Sequence, residues 1–244
     1  MTTGKIDRQL AYVLHARPYR ETSLLIEVLT VAHGRIALVA RGARRPRSDL
    51  RGTLLPFQPL QLSWFGKNEV RTLHVADWQG GVPQLSGLSL ICGFYLNELL
   101  IRLTARDDPN AELWASYDRA VRGLASGQQK QSRVLRRFEL DLIRSLGYAP
   151  QLDTDSEGGA VMDGRYYRCA PGSPPEADFG GEPDGRITLV SGATLLAMAR
   201  DDFSEALTRR EARGMLRLIL AELLGPDGRL ATRELLQSLS PLSD

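Results

Sequence analysis

Gly34-Arg-Ile-Ala-Leu-Val-Ala-Arg-Gly-Ala-Arg-Arg-Pro-Arg-Ser-Asp-Leu-Arg51 joins two kinds of sequence. From Arg35 to Ala40 the residues alternate, with Ile36, Leu38 and Ala40 on one face and Arg35, Ala37 and Val39 on the other. That is the period of a strand. From Arg41 onward, Gly42 and Pro46 break any helix and keep the segment a loop. The stretch carries six arginines against one acid, Asp49. Guanidinium groups fork onto phosphate oxygens and release condensed counterions, so such a loop suits a nucleic-acid backbone with little sequence preference. A solvated surface charge run is the plain alternative.

Outward from this stretch, four more runs read as strands: Leu10–Ala16, Ser23–Thr30, Leu60–Phe65 and Val70–Ala76. Val31-Ala-His-Gly34 has the chemistry of a tight turn, and Gly66-Lys-Asn-Glu69 that of a hairpin loop. Five short strands with no helical period between them predict a small Greek-key barrel, an OB-fold first and an SH3-like barrel second. An OB-fold holds oligonucleotides across strands 2 and 3 and between its loops. The candidate contacts are therefore Arg35, Arg41, Arg44, Arg45, Arg47, Arg51 and Lys67, with Arg35 placed on the mainly structural strand half. Tyr19, Phe57, Trp64 and Phe65 serve either as core or as base-stacking platforms. Trp64 reads as out of phase with Leu60 and Leu62, hence as the exposed one, and joins the candidate contacts.

The charge supports a divided chain. Residues 1–80 hold 12 Lys+Arg against 6 Asp+Glu, while residues 81–244 hold 19 against 23, so a net +2 conceals a basic first third and an acidic remainder. A polyanion partner is expected for the first third only. With 43% hydrophobic residues the chain can bury a true core. Cys92 and Cys169 match no disulfide or metal spacing, as suits a reducing cytosol. No apolar h-region follows Met1, so no signal peptide is expected, and no apolar run reaches the roughly 18 residues of a membrane span.

After a linker at Asp77–Pro83, Ser86–Leu103 is apolar nearly all round, the mark of a central buried helix. Ser86 is its expected cap, Asn97 and Glu98 its structural polar contacts, and Cys92 a small core residue. Further helices are expected over Asn110–Ala125, Gln131–Leu146 (stopped by Gly147), Ser191–Arg200, Ser204–Leu224 and Thr232–Leu239, capped at Ser191, Ser204 and Thr232. Together they form an all-α bundle. Arg133, Arg136, Arg137 and Arg144 give the third helix a basic face, with pairing to Glu139 and Asp141 the favoured reading. Residues 149–186, rich in Gly, Pro and acids, form an irregular insertion with one hairpin at most. Asp153-Thr-Asp-Ser-Glu-Gly158 imitates the start of a calcium loop, but its twelfth position is Gly164 rather than a glutamate. The fold class is thus α+β, divided as barrel 1–80, helices 81–148, insertion 149–188 and helices 189–244.

Arg17-Pro-Tyr-Arg-Glu-Thr-Ser-Leu-Leu25, His33-Gly-Arg35, Ala40-Arg-Gly-Ala-Arg-Arg-Pro-Arg-Ser48 and Leu54-Leu-Pro-Phe-Gln-Pro-Leu60 resemble, in this order, the N-terminal domain of the bacterial RecO family. Gly93-Phe-Tyr-Leu-Asn-Glu-Leu-Leu100 and Arg136-Arg-Phe-Glu-Leu140 resemble its helical domain. The resemblance spans nearly the whole chain. It implies a mediator of recombinational repair that binds single- and double-stranded DNA, anneals complementary strands and helps load the RecA recombinase. It further implies RecR as partner, a nucleoid-associated cytoplasmic location, and docking of the acidic tail of single-strand-binding protein on the helical domain. For that tail, Arg102, Arg133, Arg136 and Arg137 are the candidates. Many relatives carry a four-cysteine zinc module in the insertion. Cys169 alone cannot build one, so no zinc or other cofactor is expected.

No Walker A loop, Gly-x-Gly-x-x-Gly, Gly-x-Ser-x-Gly or His-Glu-x-x-His occurs. His15, His33 and His74 sit in strands or a turn and read as structural. The chain therefore reads as a binding protein rather than an enzyme. The alternative is an OB-fold interaction module of a larger assembly, with RNA or an acidic protein as partner.

Overall fold

Alternation along the first eighty residues builds a closed barrel. A computed structural model describes residues 4–178, 180, 185–226 and 228–239, the last four as backbone only. The extreme N-terminus, where the signal-peptide reading falls, and parts of segments 149–188 and 189–244 lie outside the described residues. The strands are β1 (Lys5–Tyr19), β2 (Ser23–Thr30), β3 (Gly34–Ala40), β4 (Leu60–Phe65) and β5 (Val70–Trp78). Their order around the barrel is β1-β2-β3-β5-β4. All pairs are antiparallel except β3 with β5, joined in parallel at Ala37↔Val70, Leu38↔Arg71 and Val39↔Thr72. This is the closure of an OB-fold, which leaves no free sheet edge.

β1 is long enough to serve two neighbours. Its first half pairs with β4 and its second with β2. A bulge between Ile6 and Gln9, with Arg8 at φ 51° and its N–H donating to Ser63 Oγ at 3.0 Å, bends it round the corner. Inside lie Val13, Ile26, Val28, Ile36, Leu38, Leu60, Leu62 and Trp64, all essentially inaccessible. Each fully buried aliphatic side chain contributes about 1.5–3 kcal/mol. The β2–β3 turn depends on Gly34. It sits at φ 61°, and a Cβ there would meet the Asp108 carbonyl oxygen at 2.0 Å.

The chain divides into two compact units. One runs to Gly127 and resumes at Leu230; the other is Gln128–Arg229. The first holds the barrel, a short turn α1 (Leu50–Thr53) between β3 and β4, and helices α2 (Gly87–Leu103) and α3 (Ala111–Ser126). α2 lies against the barrel because Gly93 admits Phe57 and Leu85, either of which would come within 2.8 Å of a Cβ. Asn97, buried on α2, donates to Leu14 O at 2.8 Å and accepts from the Tyr117 hydroxyl at 2.6 Å. Asn110, rather than a residue inside the helix, caps α3 by accepting from Leu113 N–H.

The second unit contains α4 (Gln131–Ser145), a three-stranded sheet of β6 (Tyr166–Cys169), β7 (Glu176–Ala177) and β8 (Thr188–Ser191) in the order β7-β6-β8, then α5 (Gly192–Ala199) and α6 (Ala206–Leu224). The insertion thus carries more sheet than a hairpin, because β8 pairs with β6 from across the Gly/Pro-rich loops. Ser191 caps α5 by accepting from Thr194 N–H. Ser204 does not cap α6, which begins two residues later behind Glu205. Ser86 precedes α2 without a capping hydrogen bond. The last helix, α7 (Ala231–Leu239), returns to the first unit. There the Glu98 carboxylate of α2 accepts from the N–H groups of Ala231 and Thr232 at 3.0 Å, an N-cap supplied from another helix.

Candidate nucleic-acid interface

The arginine loop leaves the end of β3 and is pinned at both feet. Ala43 is fully buried in the barrel core, and Leu54 closes the other end at 5% exposure. Between them Arg41, Arg44, Arg45, Arg47 and Arg51 are all exposed. The loop is turned: Arg45 N–H donates to Gly42 O, Ser48 N–H to Arg45 O, and α1 follows. Short turns on a buried anchor leave all five side chains on the surface. Among the described residues no ion pair within 4.0 Å involves these five side chains.

Arg44 differs from its neighbours. Its N–H donates to Thr22 O at 2.9 Å, and its guanidinium donates to the carbonyls of Arg20 and Glu21 at 3.3 and 3.2 Å. It braces the β1–β2 turn as well as facing solvent. Lys67 is exposed on the β4–β5 loop, its stem lying against Gly4.

Two of the expected contacts are corrected. Arg35 is consumed. Its guanidinium pairs with Glu27 at 3.0 Å and donates to the Thr104 carbonyl and hydroxyl at 2.7 and 3.3 Å, leaving 12% of the side chain exposed. It ties β3 to the end of α2 and has no reach to a phosphate. Trp64 is 1% exposed. Residues 60, 62 and 64 share one parity, so the alternation itself places Trp64 inside with Leu60 and Leu62; the out-of-phase reading miscounts it. Its ring meets His33 edge-on at 5.3 Å. Phe57 is also buried, whereas Tyr19 is half-buried at the β1–β2 turn. An exposed aromatic of the barrel that sequence reading passes over is Trp78, 61% exposed at the end of β5 within what reads as linker.

The helical arginines separate likewise. Arg136 is buried and pairs at 2.6 Å with Glu139, itself 2% exposed, so it is a structural ion pair and not a rim for a partner. Arg144 pairs with Asp201 at 2.6 Å and Asp141 at 3.8 Å, and Arg137 reaches Asp201 at 4.0 Å. Arg133 is half-buried on the same helix. Arg102 is exposed in the last turn of α2 and belongs to the other unit.

The remaining sequence signals find local roles. Asp155 accepts from the N–H groups of Glu157 and Gly159 and so closes its own loop. Cys169 is buried, and burial pushes its thiol up to about 12. Among the described residues no three His, Cys, Asp or Glu side chains come together as a metal site. No described helix is long and apolar enough to cross a membrane.

The family described as Recombination protein O N terminal matches residues 5–81, the barrel with its arginine loop, and Recombination protein O C terminal matches residues 84–232. The chain belongs to the RecO family. It is 57% identical over 243 residues to the DNA repair protein RecO of Chromobacterium violaceum, covering 99% of this chain and 98% of that one. It is 49% identical to the DNA repair protein RecO of Laribacter hongkongensis, again over 99% and 98%, and 48% identical to that of Nitrosospira multiformis over 97% of each. In this RecO-family chain the matched N-terminal region holds the exposed arginines of the 41–51 loop.

Proposed function

We propose that this RecO-family protein is a non-enzymatic mediator of recombinational repair whose arginine loop contacts the DNA backbone. The observation that carries the reading is the set Arg41, Arg45, Arg47 and Arg51, exposed and in no ion pair among the described residues, on a loop anchored in an OB-fold barrel. Guanidinium groups held this way neutralise phosphates on either single or double strands and leave bases free. Two strands so neutralised repel less, which is the physical basis of annealing. The relatives' shared name, DNA repair protein RecO, supports the same assignment. Loading of the RecA recombinase together with RecR, on DNA coated by single-strand-binding protein, is the cellular act proposed, in the nucleoid. The tail of single-strand-binding protein is assigned to the helical part, with Arg102, Arg133 and Arg137 as remaining candidates.

The test replaces Arg41, Arg45 and Arg47 together by Ala and spares the bracing Arg44. Losing three phosphate contacts flattens the slope of log affinity against log salt by about 2 on single strands and about 2.7 on duplex. Annealing of complementary oligonucleotides falls in parallel. An unchanged salt slope removes the loop from the interface. Annealing on strands coated by single-strand-binding protein, with and without its C-terminal tail, tests the partner.

A further inference from the structure

The β1–β2 turn, the start of the arginine loop and the first residues of β5 enclose an open groove of about 480 Å3. At its base β3 and β5 run parallel, with Val39 beside Thr72. Arg20, Arg41 and Arg45 line it together with Tyr19, Val39 and Val70, and no carboxylate is among its lining residues. Arg71 also lines it, but its guanidinium is committed to Asp107 at 2.5 Å.

The groove is held open by bonds. The three contacts of Arg44 to the carbonyls of Arg20, Glu21 and Thr22 tie one wall to the other, and buried Ala43 fixes the foot of the loop. Arg20, at φ 52°, keeps its guanidinium 5.3 Å from the centre of the Tyr19 ring. Arg45 folds back over Gly42, where a Cβ would lie 3.5 Å from its Nε. A groove ordered before binding costs its ligand less entropy than two free loops.

The lining also selects a ligand. Three guanidinium groups call for an anion. An aromatic ring and two valines, Val70 being 43% exposed, call for apolar surface beside it. The volume lies in the range of small-molecule sites. A bare inorganic anion satisfies only the arginines; a nucleotide satisfies both halves.

We propose that this groove seats one whole nucleotide, its phosphate among Arg20, Arg41 and Arg45 and its sugar and base against Tyr19, Val39 and Val70. The inference rests on the reading of the arginine loop as a DNA contact and adds a defined position to it, one that brings in the β1–β2 turn. The nucleotide is a unit of a bound strand or a free mononucleotide.

Fluorescence anisotropy with the full chain and a labelled oligothymidylate decides. Val70→Glu places a carboxylate in the groove at an exposed position, and Arg20→Glu reverses a charge on its other wall without touching a barrel strand. Arg47→Ala with Arg51→Ala alters the loop outside the groove. The expected result is a loss of at least about tenfold in oligonucleotide affinity for each groove variant, with unchanged melting curves. Thymidine 5′-monophosphate should compete with the oligonucleotide, while thymidine and inorganic phosphate at equal concentration should not. If the groove variants lose monophosphate binding but keep oligonucleotide affinity, the seat stands and its source is the free nucleotide. If both ligands bind both groove variants as they bind the parent while the loop variant is weakened, the seat is overturned and the loop reading survives. If the loop variant is unchanged as well, both fall.

Discussion

The arginines of the 41–51 loop and a second group, Arg35, Arg71 and Arg106, have the same chemistry and opposite fates. Around the second group carboxylates are built in. Glu27 of β2 pairs with both Arg35 and Arg106, Glu69 pairs with Arg106, and Asp107 with Arg71. There the cations join the barrel to the segment after α2. Around the loop the sole acid of the stretch, Asp49, forms no such pair among the described residues. A guanidinium is spent on structure where the fold brings an acid or carbonyl to it, and stays available where it does not. Density of arginine in sequence does not separate the two cases; the partners do. The comparison predicts that free arginines govern binding and leave stability alone, while committed arginines do the reverse.

The largest stability effect should come from the most committed arginine. Arg136→Ala removes one partner of the buried pair with Glu139 in the second unit, and breaking a buried pair in this way costs about 3–5 kcal/mol. Denaturant unfolding of the variant measures it, and oligonucleotide affinity of the folded protein should match the parent. A variant that weakens DNA binding without losing stability would return Arg136 to the interface and break the division between free and committed arginines.

Arg35→Ala should be milder. It removes an ion pair and two hydrogen bonds to Thr104, one through the carbonyl, but Glu27 keeps Arg106. Hydrogen bonds from a charged donor contribute about 1.5–3 kcal/mol each and compensate one another when a network remains, so a loss of about 1–3 kcal/mol is expected. Salt dependence of DNA binding should keep the parent's slope, in contrast to the triple loop variant. A shallower slope would show that Arg35 reaches phosphate after all.

These outcomes bear on what the sequence can tell. The five strands are legible because alternation is a local property, and four of the five are in place to within a residue or two. β1 is longer than its apolar run, since its outer turns are polar and paired. Barrel closure is less local: β3 meets β5 through only three positions, and their residues carry no mark of being neighbours. The arginine loop is legible as charge, and its exposure follows. The loss of Arg35 is not legible, because its partners are Glu27, eight residues back, and Thr104, sixty-nine residues on. The groove was hidden for the same reason, as Arg20 and Val70 approach the loop only once the barrel closes. Trp64, by contrast, is legible from parity alone.

The smallest effect lies at the junction of the two regimes, in His33 at the β2–β3 turn. Burial and the positive charge of Arg71 hold its imidazole below its ordinary value, against a weaker pull from Asp107. The ring rests on Trp64. In the unfolded chain a histidine protonates near pH 6.5. Below that pH the unfolded state therefore binds a proton that the folded state refuses, and stability must fall as pH drops from about 6.5 toward the folded value, then level off. Above pH 6.5 the contribution is fully present. His33→Gln should flatten this part of the stability profile, read from denaturant midpoints between about pH 7.5 and 5. The arginines of the loop do not titrate there, so their salt slope should be the same at both ends of that range. A binding slope that steepened in acid while stability held constant would mean that His33 faces the ligand instead of the core.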